Sequence, residues 1–284
     1  MQLDPSIIAF VLLAAGMHAG WNALMKVATD RVVAMVLVNA MCAALGLILI
    51  LMTDAPHRDS WPYLAATAAV HQFYFVFLVM AYQAGDLSHV YPIARGSGPL
   101  LVALLSGPLV GESLATGQAV GVVLTSLGIA SLALAQRGVV RVQNLSPALW
   151  ALAVGLTIAM YTIIDARGVR ASHSPLGYVG WLFVLNGLCF VFWIGARPPS
   201  LFAAAVRQTW RQWMGGGLLT TGSYGITLWC YSIGAVAPIA ALRETSVIFA
   251  AFIGSRLLGE SFGARRVFAA AIVAAGVIAM SIRT

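Results

Sequence analysis

Ten stretches of mostly apolar residues, each about twenty long, constrain this chain more than any other feature, because that is the length of helix that crosses a bilayer. Their approximate limits are 6–26, 32–52, 61–83, 88–110, 116–135, 147–166, 176–195, 212–233, 237–258 and 264–282. Turn-forming residues separate them, among them Asp54-Ala55-Pro56-His57, Gly111-Glu112-Ser113, Arg197-Pro198-Pro199 and Gly259-Glu260-Ser261. Backbone in lipid must satisfy its own hydrogen bonds, so helices are expected. A membrane barrel would show short alternating segments, and these runs do not alternate. Only 9% of the residues are charged and 61% are hydrophobic, against roughly 25% charged in soluble domains. A soluble enzyme, a disordered chain and a coiled coil are excluded. The first apolar run has no basic leader and is preceded by Asp4, so it reads as a retained span and not as a cleaved signal.

The chain also repeats itself. Tyr82 and Gly85 match Tyr231 and Gly234 at a spacing of 149, as Trp61 matches Trp210. After a one-residue gap the spacing becomes 148, pairing Arg95 with Arg243, Gly111-Glu112-Ser113 with Gly259-Glu260-Ser261, and Gly128 with Gly276. Chance can pair alanines and leucines in apolar helices, but not an intramembrane arginine followed by Gly-Glu-Ser in one register. The expected fold class is therefore an all-α membrane protein of ten transmembrane helices in two five-helix repeats, residues 1–142 and 143–284. An odd number of spans per repeat inserts the second upside down, as in many secondary transporters, with a binding site between the repeats near mid-membrane.

Two halves that each close with Gly-Glu-Ser before a last Gly-rich helix resemble the EamA family of the drug/metabolite transporter superfamily. Leu258-Gly259-Glu260 and Val110-Gly111-Glu112 stand where that family has Leu-Gly-Glu, and His18-Ala19-Gly20-Trp21-Asn22, ending in Lys26, is similar to the first helix of many members. The resemblance implies a ten-helix carrier of small metabolites, often an exporter, in a bacterial inner membrane. Basic residues oppose the orientation common among members. With the N-terminus inside, Arg58, Arg167, Arg170 and Arg283 would be the cytoplasmic ones, against ten on the other side, including Arg31, Arg137, Arg141, Arg197 and Arg265. The positive-inside rule then places both termini outside.

Arg95 and Arg243 sit several residues inside their spans, where a charge costs at least about 2.5 kcal/mol and usually faces a cavity or a partner. They read as a guanidinium clamp for a carboxylate, phosphonate or phosphate, or as structural ion pairs. Glu244 is absent from the first repeat, which has Gly96 there. It could face Arg95, bind a substrate amine or take a coupling proton. His18, Asn22 and Lys26 share one helical face with Trp21 beside them. Tyr161 and Asp165 repeat the spacing in the sixth span. Lys26 reads as snorkelling, and Asp165 as a solvated span end or a second proton site. His71, Phe75, Leu78 and Tyr82 share a face of the third span, with Tyr74 adjacent, as Thr220, Tyr224, Thr227 and Tyr231 do in the eighth. With Tyr91 they suggest an aromatic lumen able to hold a cation, the alternative being packing. The fifth and tenth spans, with Gly117 and Gly121, read as packing or homodimer helices. Pro92, Pro99 and Pro108 in the fourth and Pro238 in the ninth mark candidate gate helices.

The leading function is secondary transport of a small polar metabolite, an amino acid or another zwitterion or anion, by alternating access. The alternative is a proton-coupled exporter of cationic drugs or quaternary amines, against which two intramembrane arginines argue. No His-Glu-Xaa-Xaa-His or Gly-Xaa-Ser-Xaa-Gly motif occurs, so no enzyme is expected. Neither cofactor nor metal is expected. Cys42, Cys189 and Cys230 lie in apolar runs and suggest neither disulfide nor zinc. The 16 basic residues against 9 acidic ones are scattered in loops, so lipid and not nucleic acid is the partner.

Overall fold

A computed structural model describes residues 4–26, 31–85, 87–134, 145–194, 206, 209–257 and 264–281. The helices among the described residues come in the order α1 (Pro5–Lys26), α2 (Arg31–Met52), a 3-10 turn (Arg58–Ser60), α3 (Trp61–Ala84), α4 (Leu87–Val110), α5 (Thr116–Leu134), α6 (Ser146–Ala171), α7 (Pro175–Ile194), α8 (Trp210–Ile233), α9 (Val236–Arg243), α10 (Ser246–Leu257) and α11 (Ala264–Ser281). Among the described residues, six helical stretches are long and apolar enough to cross a membrane and three more are apolar but shorter. Large apolar side chains point outward, Leu51 being 86% and Leu104 72% exposed. Such a surface is stable against lipid and costly in water.

Helix ends follow local chemistry. Proline opens α3 and α6 within the first two positions, where its missing N–H is not needed. The repeat register is visible in the backbone. Gly85 closes α3 by donating to Ala81 O, and Gly234 closes α8 by donating to Cys230 O. Gly111 ends α4 with φ +75°, a left-handed conformation open to glycine, and turns the chain so that Glu112 can reach back over the molecule.

The packing obeys the repeat. Exchanging the halves turns α1 into α6, α3 into α8 and α4 into α9–α10. The contact of α3 with α6 then becomes that of α8 with α1, and the contact of α4 with α6 becomes that of α9 and α10 with α1. All of these occur, and the self-matched pairs α2–α7 and α5–α11 occur as well.

Two expectations need correction. The ninth span is not one helix. It is broken at Glu244–Thr245, where the N–H groups of Glu244 and Thr245 bond three residues back to Ala241 O and Leu242 O. Mid-helix bonding of this tighter kind often marks a hinge. Pro238 is not the cause, since it lies in the first turn of α9, and α4 runs unbroken through Pro92, Pro99 and Pro108. The sixth span does not stop near residue 166 but continues to Ala171.

The fifth and tenth spans spend their small faces on each other. A Cβ at Gly121 would sit 2.6 Å from Gly276 O and 2.9 Å from Met280 N. Those are backbone atoms that cannot step aside. Gly121→Val is therefore expected to destabilise the protein by about 1–3 kcal/mol, read as a lower melting temperature in detergent. Gly16, with nothing within 4 Å of its hypothetical Cβ, is the control, and Gly16→Ala should not lower it. A Gly121→Val protein that melts like the parent would refute this packing.

Candidate functional site

The polar residues picked out in the sequence gather where α1, α3, α4, α6, α8 and the break after α9 meet. Arg95 on α4 is 6% exposed and Arg243 at the end of α9 is 7% exposed. Arg95 Nε lies 3.0 Å from Glu244 Oε2, although the N–H is not aimed at that oxygen and neither atom has a hydrogen-bond partner. A second guanidinium nitrogen of Arg95 is 3.0 Å from His18 Nε2, and the ring of Tyr91 lies 5.8 Å from its centre. Glu244 thus faces Arg95, one of the three roles its sequence position allowed.

Arg243 is held differently. Its guanidinium stands over the Tyr224 ring at 5.3 Å, and the ring of Tyr161 lies 6.5 Å from that of Tyr224. Its Nε is buried with no hydrogen-bond partner. Among the described residues no carboxylate pairs with it. Tyr161 also stacks on His71 with ring centroids 4.5 Å apart and meets Tyr74 edge-on at 6.0 Å. His71 Nδ1 is 2.8 Å from Thr67 O. These rings form a wall along one side of Arg243.

Behind that wall lies Asp165. It is fully buried, which overturns its reading as a solvated span end. Tyr178 Oη donates to its Oδ1 at 3.0 Å and Tyr224 Oη to its Oδ2. Tyr224 therefore links the acid to Arg243, offering its hydroxyl to one and its ring to the other. The equivalent residue in the first half, Asn22, donates to His18 O on its own helix at 2.7 Å, so it does not bridge helices. Trp21 Nε1 lies 3.2 Å from His18 Nδ1; a neutral imidazole accepts at one nitrogen, so His18 accepts from Trp21 or from Arg95 and not from both. Lys26 ends α1 and is exposed. Gly96 beside Arg95 serves close packing, since its Cβ would lie 3.0 Å from Ser126 O.

A second polar cluster was not foreseen. Glu112, in the first Gly-Glu-Ser, accepts from Arg170 at 2.6 Å through one oxygen and from the Val236 N–H at 2.8 Å through the other. Arg170 also donates to Tyr231 O at 2.9 Å and Gly234 O at 2.8 Å. The charges suit the helix dipoles, the cation at the end of α8 and the anion at the start of α9. The repeated motif singled out Glu112, but Arg170 counted only as a loop charge. Tyr178, three residues into α7, carried no signal in the sequence. The motif's second copy, including Glu260, lies outside the described residues, as does Arg197. No group of three His, Cys, Asp or Glu side chains suited to a metal ion occurs among the described residues.

No curated protein matches the sequence. A solved crystal structure of a protein 16% identical to this chain matches with a TM-score of 0.72, over 96% of this chain and 94% of its own, which speaks for the fold. The model of the EamA-like transporter family matches twice, over residues 5–134 and 145–282. The two matches divide the chain where the internal repeat divides it. The chain belongs to the EamA-like transporter family of the drug/metabolite transporter superfamily, whose members are multi-pass integral membrane proteins.

Proposed function

We propose that the protein is a secondary active carrier that exports a small polar metabolite bearing an anionic group, an amino acid or related zwitterion foremost. Ten spans form two inverted repeats, residues 1–142 and 143–284, that rock around the buried cluster in a bacterial inner membrane. The observation that carries this reading is Arg243, a buried guanidinium with which no carboxylate pairs among the described residues. A buried charge left without a counter-ion costs several kcal/mol, a cost that a substrate anion offsets when it binds. His18, Trp21, Asn22, His71, Tyr74, Tyr91, Tyr161 and Tyr224 complete the proposed site. The charge balance favours termini outside, and more strongly once Arg170 is spent on Glu112 and Arg167 on the Tyr63 ring. A second copy would meet the outer faces of α5 and α11, for example Leu127 and Phe268, both exposed, because the glycine faces are occupied.

Of the two proton-coupling candidates, Asp165 is the better. Glu244 already has its counter-charge in Arg95, whereas the partners of Asp165 are hydroxyls.

Counterflow in proteoliposomes tests the function. Vesicles loaded with a mixture of amino acids and monocarboxylates are expected to take up labelled substrate saturably, and Arg243→Ala should abolish that uptake. Saturable uptake confined to quaternary amines, and unchanged in Arg243→Ala, would replace this reading with the cation exporter.

A further inference from the structure

We propose that the two repeat-related arginines have separate tasks: Arg243 alone receives the substrate, which carries a single anionic group on a flat apolar body, while Arg95 is reserved for Glu244. The inference rests on the cluster being the substrate site and goes beyond it by breaking the symmetry of the clamp.

The sequence treats the two arginines alike, and the structure does not. Arg95 has a carboxylate at 3.0 Å, an imidazole nitrogen at 3.0 Å and a tyrosine face at 5.8 Å. Its charge is cancelled and one fork position is taken. Arg243 is as deeply buried and stands over a tyrosine face, but among the described residues neither a carboxylate nor an imidazole pairs with it; Nε lacks a hydrogen-bond partner in both arginines, so the difference lies in Glu244 and His18 at Arg95. A guanidinium offers a planar fork that a carboxylate fills with two parallel bonds. Among the described residues, Arg243 is the buried central arginine whose fork no carboxylate faces.

The surroundings limit what the anion can be attached to. Glu244 is the next residue in the chain, and Asp165 stands behind Tyr224, which donates to it. A second negative group on the substrate would be desolvated with no second guanidinium free to balance it, since Arg95 is held by Glu244. The walls beside Arg243 are the rings of Tyr161 and Tyr224, with His71 stacked behind Tyr161. Such surfaces favour a flat body and can face an ammonium, but offer nothing to a second anionic group. The break at Glu244–Thr245 allows the carboxylate of Glu244 to stay with Arg95 while Arg243, at the end of the preceding helix, adjusts to the ligand.

The test uses purified full-length protein in detergent and four probes: phenylacetate, L-phenylalanine, succinate and phenethylamine. Binding is read as thermal stabilisation in the parent, in Arg243→Lys, and in a double variant carrying Arg95→Met and Glu244→Gln. Phenylacetate and phenylalanine are expected to bind, with the apparent Kd raised by ~tenfold or more in Arg243→Lys and held within ~threefold in the double variant. Where the double variant does not fold, Arg95→Lys supplies the comparison, since it keeps the pair with Glu244. Equal losses at both arginines would overturn the division of labour and leave the carrier reading intact. So would succinate binding as tightly as phenylacetate. Binding of phenethylamine alone, or of no probe, would overturn both.

Discussion

Arg170→Ala is expected to raise the reaction rate of Cys230 with a water-soluble maleimide by ~tenfold or more, in protein whose Cys42 and Cys189 have been replaced by alanine. Cys230 is fully buried one residue before Tyr231, whose carbonyl Arg170 holds. The guanidinium ties four elements together: its own helix α6, the end of α8, the loop after α4 through Glu112, and, through that carboxylate, the first N–H of α9. Glu112 comes from the first half and the other three elements from the second. The latch therefore spans the two bodies that must move apart if the carrier is to open on the face where the termini lie.

Each hydrogen bond to a charged group is worth about 1.5–3 kcal/mol when buried. Arg170 is 29% and Glu112 15% exposed, so water access reduces the sum. A net of about 2–3 kcal/mol still changes the ratio of two conformations by ~30–150-fold. Glu112→Gln should produce a smaller increase, since it loses the ion pair but keeps an oxygen for the Val236 N–H. Unchanged labelling, with only a lower melting temperature, would make the cluster a helix cap and no gate.

The spans, the duplication and most of the central residues could be read from the sequence because lipid and symmetry leave strong marks. Long apolar runs have few alternative folds, and Arg95, Arg243, Glu244, His71, Tyr161 and Tyr224 stand out as polar groups in apolar surroundings. What escaped was decided by pairing across the fold. The broken ninth span has neither proline nor glycine at Leu242-Arg243-Glu244-Thr245-Ser246. Its one local trace is Thr245, a residue type that competes with the helix ladder and here donates its hydroxyl to Leu242 O at 2.8 Å. The sixth span looked finished at Arg167 because charge usually ends a span. The structure instead accommodates that charge on the Tyr63 ring, 5.4 Å away, and the next one, Arg170, on Glu112. Once the helix continues, Asp165 becomes interior, and no hydropathy argument could have shown the two hydroxyls that meet it.

Asp165 carries the second large expected effect. Asp165→Ala removes the acceptor of Tyr178 and Tyr224, residues that are 0% and 9% exposed. Two buried hydroxyls left without partners cost about 1–3 kcal/mol each, so the variant should lose about 2–6 kcal/mol and melt well below the parent. Asp165→Asn keeps an acceptor and the shape, so it should melt close to the parent. The two variants thereby separate structure from coupling. If Asp165 is the proton site, Asp165→Asn cannot exchange the proton that drives accumulation, yet it retains the substrate site at Arg243. It is then expected to catalyse substrate-for-substrate exchange at a rate near the parent's while failing to concentrate substrate when a pH gradient is imposed. Glu244→Gln supplies the contrast, for it removes the partner of Arg95 and leaves the tyrosine-held acid in place, so proton-driven accumulation should persist. Accumulation by Asp165→Asn at the parent's level would show that the buried acid serves the fold alone, and its loss in Glu244→Gln would move the coupling proton to the pair with Arg95.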